Sequence, residues 1–582
     1  MRKLFSAFHV LSEKSRKGFL WVLIVSTMGM GLEVLGVGMV MPLIDLLVSP
    51  ETAADSLVWQ TLLSVLGEDS NVLLLGLICL VGLFAFKNLF LAYQVNLQSK
   101  YSFGVQVETS TYLFENYLGR PYEFFLGTNT SELLRNAIGE VNSFVGYVLQ
   151  PLLIIIAESL VLLAIVVLLL CVEPLASLMA IAFVGALGWA FHRFTRRRVN
   201  DWGKERQHRE GLKIKCLQEG FNGIKVIKLL EEHSFLGESF REHTQLGAAA
   251  GRKQYAMQQM PRLLLETLAI LGLAILAIGL VSVGEDQDDA LPKLGMIAFG
   301  LVRVMPSVAR IVHSSQSIVY GWPCVKVLRE ELGDWDSSKT ESEKDLDCSF
   351  SSSFSMKEVS FAYSQGAVNS LVGVSIEVPK GSSVGIIGES GSGKSTLVDI
   401  ALGLLEPCEG ALFVDGRKLE NQGDKSSWRK MIGYVPQEIY LTDDTLRNNV
   451  AFGVDPCQID EEKVLTSLKE ASLLEFVQGL PDGLDAMMGE RGARLSGGQR
   501  QRVGIARALY HDPAFIVFDE ATSSLDSDTE KSVMETVLDL QRNKTFLIVA
   551  HRLSTLKNCD RIYRVHQGRI VESGSFSEIS EN

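Results

Sequence analysis

The chain has 582 residues, 47% of them apolar, and a mean hydropathy of +0.19. It is too long for one hydrophobic core and too apolar for an ordinary soluble protein. A net charge of −13 argues against nucleic-acid binding as the main task, and eight cysteines without paired spacing argue against a disulfide framework or a zinc site.

The apolar residues crowd the first part of the chain. Six candidate spans cover residues 19–47, 72–94, 147–172, 175–194, 263–283 and 294–319, each long enough to cross about 30 Å of hydrocarbon as a helix. The first is too long for a signal peptide and lacks a small-residue cleavage site, so it is read as a retained span. Arg2, Lys3, Lys14, Arg16 and Lys17 precede it, and Arg193, Arg196, Arg197 and Arg198 end the fourth span. These clusters place the N-terminus in the cytosol. Residues 48–71 hold Glu51, Asp55, Glu68 and Asp69 without Lys or Arg, and the last outer loop holds Glu285, Asp286, Asp288 and Asp289. Both loops belong outside, and the soluble C-terminal part then lies inside. Within the first outer loop, residues 56–66, with Trp59, suit a helix at the lipid interface or one packed on the mouth of the bundle.

The cytosolic connections, residues 95–146 and 195–262, are rich in helix formers of mixed charge. The spans are therefore expected to continue as helices beyond the membrane. Breaks near Gly119-Arg120-Pro121 and between Gly220 and Gly223 are read as turnarounds whose short helices meet the soluble domain. Residues 333–350 are polar, charged and Ser-rich. They read as a linker, which divides the chain into a membrane domain (1–332), the linker (333–350) and a soluble domain (351–582).

The soluble domain carries the strongest motif. The apolar run Val384-Gly385-Ile386-Ile387 leads into Gly388-Glu389-Ser390-Gly391-Ser392-Gly393-Lys394-Ser395-Thr396, followed by an apolar helix from Leu397. This is a strand, a phosphate-binding loop and a helix. Glycines let backbone N–H groups wrap phosphates, and the helix N-terminus adds its positive end. Lys394 offers a point charge to the β- and γ-phosphates of ATP, and Ser395 a hydroxyl to Mg²⁺. Downstream, the strand Phe515-Ile516-Val517-Phe518 ends in Asp519 and Glu520. Asp519 is placed to hold Mg²⁺ through water, and Glu520 to polarise the attacking water.

Between these motifs stands Leu495-Ser496-Gly497-Gly498-Gln499. It resembles the LSGGQ signature of ABC ATPases, and the other motifs of that family follow in order. By this resemblance Tyr363 stacks on adenine, Gln437 contacts Mg²⁺ and the membrane domain, and Gly489-Glu490-Arg491-Gly492 meets the cytosolic helices. Ser523-Ser524-Leu525-Asp526 resembles the D-loop, and His551 the γ-phosphate switch histidine. The implied fold is that of an ABC exporter, an α-helical membrane domain of six spans with extended cytosolic helices fused to an α/β P-loop ATPase domain. The resemblance further implies that each nucleotide lies between the phosphate loop of one copy and Ser496, Gly497, Gly498 and Gln499 of another. One chain carries one of each, and no motif is degenerate, which favours a homodimer. ATP binding then closes the dimer and hydrolysis resets it.

Cargo must be read from charges in the spans, where they are costly. Lys87, Arg262, Arg303 and Arg310 stand out. A basic lining would suit an anionic cargo, above all a phosphate or pyrophosphate. Pairing with Glu33, Glu158 or Glu266, or snorkelling of Arg262 at the cytosolic boundary, accounts for them equally well. Residues 84–93, 260–265 and 303–310, and the outer helix, resemble the spans of bacterial lipid-linked oligosaccharide flippases of protein glycosylation, although Lys stands at 87 where Arg is expected. That resemblance implies an anionic polyprenyl-pyrophosphate glycan as cargo, Lys87, Arg262 and Arg303 as its contacts, membrane lipids and a second identical subunit as partners, and the bacterial inner membrane as location. A lipid-A or multidrug exporter has the same architecture and is the rival reading. The short stretch before the first span argues against a peptide exporter with a processing domain. The six spans exclude a soluble ABC ATPase, and a conductance measurement would separate an ATP-gated channel.

Overall fold

The computed structural model describes residues 8–38, 72–172, 174–231, 233–283, 287–333, 350–363, 369–520, 527–541 and 544–580. The outer-loop helix expected at 56–66, most of the linker and the D-loop at 523–526 lie outside these residues. Two compact units divide the chain: Met1–Arg120 with Gly127–Ser338, and Pro121–Leu126 with Lys339–Asn582.

Among the described residues of the first unit run six long helices: α1 (Glu13–Gly38), α2 (Val72–Leu118), α3 (Gln150–Val172), α4 (Pro174–Asn222), α5 (His233–Val283) and α6 (Gln287–Leu332). At 1.5 Å per residue, a helix of this longer class, such as α4 with 49 residues, reaches about 70 Å, over twice the hydrocarbon thickness. The surplus agrees with the expectation that the spans continue as helices beyond the membrane. Leu80–Leu118 and Thr130–Val167 are each long and apolar enough to cross a membrane. The other four expected spans include residues that lie, wholly or in their side chains, outside this description.

Both turnarounds fall at the glycines. α2 stops at Leu118, and a short helix, Tyr122–Gly127, starts just after Pro121, where a missing N–H costs nothing. α4 stops at Asn222, Gly223 caps the next helix, and Ile224–Leu230 follows. One departure is unexpected. The approach to α3 contains two π-helical segments, Arg135–Glu140 and Val145–Leu149. Their widened hydrogen bonding has no signature in composition.

Within this unit α4 packs on α5 and α6, and α3 on α6. At Gly203 on α4, a Cβ would fall 2.1 Å from the Tyr320 carbonyl oxygen of α6. Only glycine permits that approach. Polar side chains cross-link the same helices. Gln258 donates to Ser317 at 3.1 Å and Gln316 to Thr195 at 3.3 Å, satisfying groups that would otherwise be costly away from water.

The second unit carries ten described strands in two sheets. An antiparallel sheet has the order β2-β1-β4-β5 and is built from β1 (Ser353–Phe361), β2 (Leu371–Pro379), β4 (Glu409–Val414) and β5 (Arg417–Lys418). A six-stranded sheet has the order β10-β9-β3-β8-β7-β6. It is built from β3 (Ser383–Gly388), β6 (Ile432–Val435), β7 (Phe515–Asp519), β8 (Thr545–Ala550), β9 (Arg561–His566) and β10 (Arg569–Gly574). β3 pairs in parallel with β8 and β9, and β7 with β8 and β6. All six residues of β8 are buried, as a sheet covered on both faces requires. The Trp428 indole, fully buried, stacks on Phe354 at 5.0 Å and packs on Phe515, and its Nε1–H donates to the Ala401 carbonyl at 2.9 Å. This cluster ties both sheets to the helix that follows the phosphate loop.

Candidate nucleotide site

In a parallel sheet, ligands bind beyond the carboxyl ends of the strands. Here three neighbouring strands end at one edge. β3 delivers the phosphate loop, β7 delivers Asp519 and Glu520, and β8 delivers His551. The sheet order thus gathers residues spread over more than a quarter of the chain.

The loop runs from Gly388 to α7 (Lys394–Ala401). Gly393 caps that helix with φ +105°, and a Cβ there would lie 2.7 Å from the Ser370 carbonyl oxygen. The position demands glycine twice, by torsion and by space. Lys394 is buried and folds back over the loop, its Nζ donating to the Gly388 and Glu389 carbonyls at 2.9 Å each. Nζ also stands 3.6 Å from Glu520 Oε1.

Glu520 is 9% exposed in its side chain, and the His551 Nε2 lies 2.8 Å from its Oε2. In the Nε2–H tautomer the imidazole donates to the carboxylate. The Glu520 backbone has φ +45°, a left-handed conformation that costs a non-glycine residue, and its N–H donates to the Val549 carbonyl at 3.0 Å. Strain of this kind aims the carboxylate back between Lys394 and His551. Next to it, burial and then the Glu520 charge raise the Asp519 carboxyl above its ordinary value, and the Tyr434 hydroxyl donates to Asp519 at 3.4 Å. Burial, followed by the charge of Asp519, raises Asp399 to about 6.

A cavity of about 840 Å³ opens at this edge, within the size range of nucleotide and cofactor sites. It is lined by Tyr363, Ser390, Gly391, Gly393, Lys394, Ser395, Thr396, Gln437, Glu520 and His551. The Tyr363 and Thr396 hydroxyls are 2.9 Å apart, which draws the ring over the loop. Gly388 lies at the strand end beneath, and Asp519 one residue before Glu520; neither is among the lining residues. Asn369, Ser370, Gln567 and Gly568 do line the cavity, and sequence reasoning missed them: the pairing of β3 with β9 brings the β9–β10 turn alongside, and the Val372 N–H, donating to the Gly568 carbonyl at 2.8 Å, holds the start of β2 against that turn.

Ser496, Gly497, Gly498 and Gln499 are not at this cavity. They begin α8 (Gly497–Leu509), where Ser496 and Gln499 form a reciprocal capping box. Glu490-Arg491-Gly492 forms a tight turn, with Arg491 at φ +53°.

In the membrane unit, Lys87 is buried on α2 with its ammonium 4.5 Å over the Phe84 ring. Arg262 on α5 donates from Nε to Glu266 at 2.8 Å. Arg310 on α6 grips Glu158 on α3 through Nε at 2.7 Å and Nη2 at 3.0 Å. Two of the carboxylates that the pairing alternative named are therefore the ones found. Arg303 falls within α6, and its side chain lies outside the described residues.

Residues 371–523 match the family model described as ABC transporter, and residues 52–287 match that described as ABC transporter transmembrane region. The ATP-dependent lipid A-core flippase of Cupriavidus metallidurans is 30% identical over 523 residues, which covers 87% of this chain and 84% of the relative. That of Ralstonia nicotianae is 30% identical over 476 residues, covering 80% and 78%. A solved structure of a bacterial Atm1-family ABC exporter with ATP bound superposes with a TM-score of 0.78 at 22% identity, covering 97% of this chain and 96% of that one. The ATPase domain binds ATP, and its hydrolysis drives transport. The chain belongs to the ABC transporter family and has the exporter fold of a half-transporter, one membrane-spanning domain fused to one ATPase domain.

Proposed function

We propose that two identical copies of this chain use ATP to flip a phosphate-bearing glycolipid of the lipid-A kind across the bacterial inner membrane, with the ATPase domains in the cytosol. The observation that carries the motor part is the convergence of Lys394, Glu520 and His551 at one cavity. Lys394 leaves its carbonyl partners for the β- and γ-phosphates. Glu520 orients the attacking water, and His551 holds that carboxylate in place and senses the γ-phosphate. The Tyr363 ring receives the adenine face. The Ser395 hydroxyl, Gln437 amide and Asp519 carboxylate offer only oxygen donors, which suits Mg²⁺. When bound, that ion supplies neutralisation of the phosphate charge.

The second copy is argued from what one chain lacks. Ser496, Gly497, Gly498 and Gln499 stand away from the chain's own cavity, so another copy provides them for it. The turnaround helix Ile224–Leu230 has no buried residue and exposes Val226, Leu229 and Leu230. An apolar surface of that kind calls for a partner.

For cargo, the names of the relatives favour a lipid-A-like molecule over the polyprenyl-pyrophosphate glycan of protein glycosylation. Both carry phosphate on a sugar-bearing lipid, and the basic residues Lys87, Arg262 and Arg303 are proposed to meet that phosphate in either case. ATP hydrolysis by the protein in phosphatidylcholine nanodiscs tests the choice. Lipid A should stimulate it more than a polyprenyl-pyrophosphate glycan or added phosphatidylcholine does; equal rates with all three would overturn the cargo reading.

A further inference from the structure

The chain crosses between its two units at three places: from Arg120 to Pro121, from Leu126 to Gly127, and from Ser338 to Lys339. The first two crossings are the ends of the first turnaround, and the third follows α6. On the membrane side a single carboxylate, that of Glu331, ties together the segments that lead to all three. Arg120, the last residue before the first crossing, donates from Nη2 to Glu331 Oε2 at 3.0 Å and to the Glu331 backbone carbonyl at 3.2 Å. Asn136, which follows the second crossing, donates from Nδ2 to Glu331 Oε1 at 3.3 Å. Glu331 itself is the penultimate residue of α6.

This placement runs against helix electrostatics. An acid in the last turn meets the negative end of the helix dipole, where the final carbonyls also lack partners. Arg120 answers both problems, because it neutralises the Glu331 side chain and accepts its carbonyl as a hydrogen-bond partner. The two side chains are 26% and 22% exposed, so solvent screens the pair less than an ordinary surface pair. The Arg120 guanidinium is fixed by the Tyr117 ring, 5.3 Å away, and by donation from Nε to Asn116 at 3.3 Å. Asn136 is buried, and its Oδ1 accepts from Arg135 Nε and Nη2 at 3.3 and 3.1 Å, which turns its amide nitrogen toward Glu331. It lies in the π-helical segment Arg135–Glu140, a rare geometry that recurs at functional sites.

We propose that Glu331 is a positioning residue for energy coupling: by holding Arg120 and Asn136 at once, it makes both ends of the first turnaround and the cytosolic end of α6 move as one body. A displacement imposed on Pro121–Leu126 when ATP binds then passes straight to α6 through the clamp. Without the clamp, Gly119 and Gly127 on either side of the turnaround let it yield locally. This role rests on the reading that ATP binding moves the turnaround, and it names the residue that hands the motion on.

The test is hydrogen–deuterium exchange of the full-length protein in nanodiscs, with and without Mg²⁺ and a non-hydrolysable ATP analogue. In the wild type the analogue should change exchange along α6 between Val304 and Ser317, remote from the clamp. Glu331→Gln keeps the side chain's shape and removes its charge. It should lose most of that response, while affinity for the analogue stays within about twofold of wild type, because the clamp lies outside the nucleotide cavity. Arg120→Gln should lose the same response, and the double variant no more than either single one, since both cut one link. Arg120→Lys, which keeps a cation for the carboxylate, should retain most of it. A merely structural role would lower the melting temperature of the variants and leave the nucleotide response of α6 as it was. An unchanged response in Glu331→Gln, or losses that add in the double variant, would overturn the proposal. The absence of any nucleotide-dependent change in α6 of the wild type is a different failure, since it would overturn the reading that ATP moves the turnaround and the clamp's role with it.

Discussion

His551 Nε2 lies 2.8 Å from Glu520 Oε2, while Lys394 Nζ stands 3.6 Å from the other oxygen of the same carboxylate. One buried acid is thus held between the lysine of the glycine-rich loop and the histidine that follows the neighbouring strand. Its charge faces the Lys394 ammonium on one side and the His551 imidazole on the other, and its backbone is held in a left-handed turn. On the proposed reading, Lys394 exchanges that carboxylate and two carbonyls for phosphate oxygens when nucleotide enters, and the position of Glu520 is then coupled to the presence of ATP.

Glu520→Gln keeps the shape and a hydrogen-bond acceptor for His551 but loses the charge that orients water. ATP binding should persist while hydrolysis falls by about 10²-fold or more, the usual scale for a positioned acid–base group. The check is nucleotide binding and phosphate release on the same preparation, with the variant accumulating as an ATP-bound closed dimer. Turnover near the wild-type rate would remove Glu520 from its assigned role.

The shared site makes a prediction about mixtures. Ser496→Arg in both copies should abolish hydrolysis by crowding the γ-phosphate of the partner's nucleotide. A tandem-purified mixed dimer of Ser496→Arg and Lys394→Ala subunits keeps one intact composite site and one doubly damaged site. It should hydrolyse ATP measurably where neither parent homodimer does. An inactive mixed dimer would contradict the sharing of sites between copies.

Much of this was legible beforehand for a physical reason. Phosphate binding needs glycine torsions and a lysine at fixed spacing, so the loop from Gly388 to Thr396 announces itself, as do six apolar runs and two glycine turnarounds. Pairings made by topology carry no such mark. The Glu158–Arg310 fork joins residues in different helices, and the approach of Asn369, Ser370, Gln567 and Gly568 follows from strand order. The π-helical turns before α3 leave no compositional trace, because a wider hydrogen-bond ring uses the same residues.

The core of the ATPase domain depends on Trp428, which fills the space between Phe354, Phe515 and the end of α7. Trp428→Ala should cost about 3–5 kcal/mol by the cavity it leaves. Thermal unfolding should show a large loss in the ATPase domain, and Trp428→Phe should recover part of it. A wild-type melting temperature for the alanine variant would contradict the packing described.

Asp415 anchors the start of β1. Burial opposes its ionisation, but hydrogen bonds from the Ser351 hydroxyl and from the N–H groups of Ser351, Ser352 and Ser353 outweigh it and hold the carboxyl below its ordinary value. A depressed folded value means that the stabilisation is present above the unfolded value of 3.8 and is lost as pH falls through the folded one. Because the group is partly exposed to solvent, the effect should be small. Asp415→Asn should lower the melting temperature slightly at pH 7, and the gap should close as pH falls below about 4. A gap that widened on acidification would reverse the sign argued here.

The basic residues of the spans predict a separation of functions. Replacing Lys87, Arg262 and Arg303 together with neutral residues should reduce flipping of a phosphorylated glycolipid more than it reduces ATP hydrolysis, since the change acts on the headgroup and an unpaired charge in low dielectric costs several kcal/mol. Flipping and hydrolysis measured in the same vesicles, with folding checked by thermal stability, decide it. Unchanged flipping in a folded triple variant would leave the basic lining without a transport role.

The most direct test of the central claim is transport itself. Purified protein is reconstituted into proteoliposomes with fluorescently labelled lipid A, with a polyprenyl-pyrophosphate glycan, or with phosphatidylcholine, and movement between leaflets is followed with and without ATP. ATP-dependent flipping of lipid A, weaker flipping of the polyprenyl glycan, none of phosphatidylcholine, and none of any lipid by Glu520→Gln is the predicted result. Lipid A movement that is independent of ATP, or ATP-driven movement of phosphatidylcholine at the same rate, would contradict it.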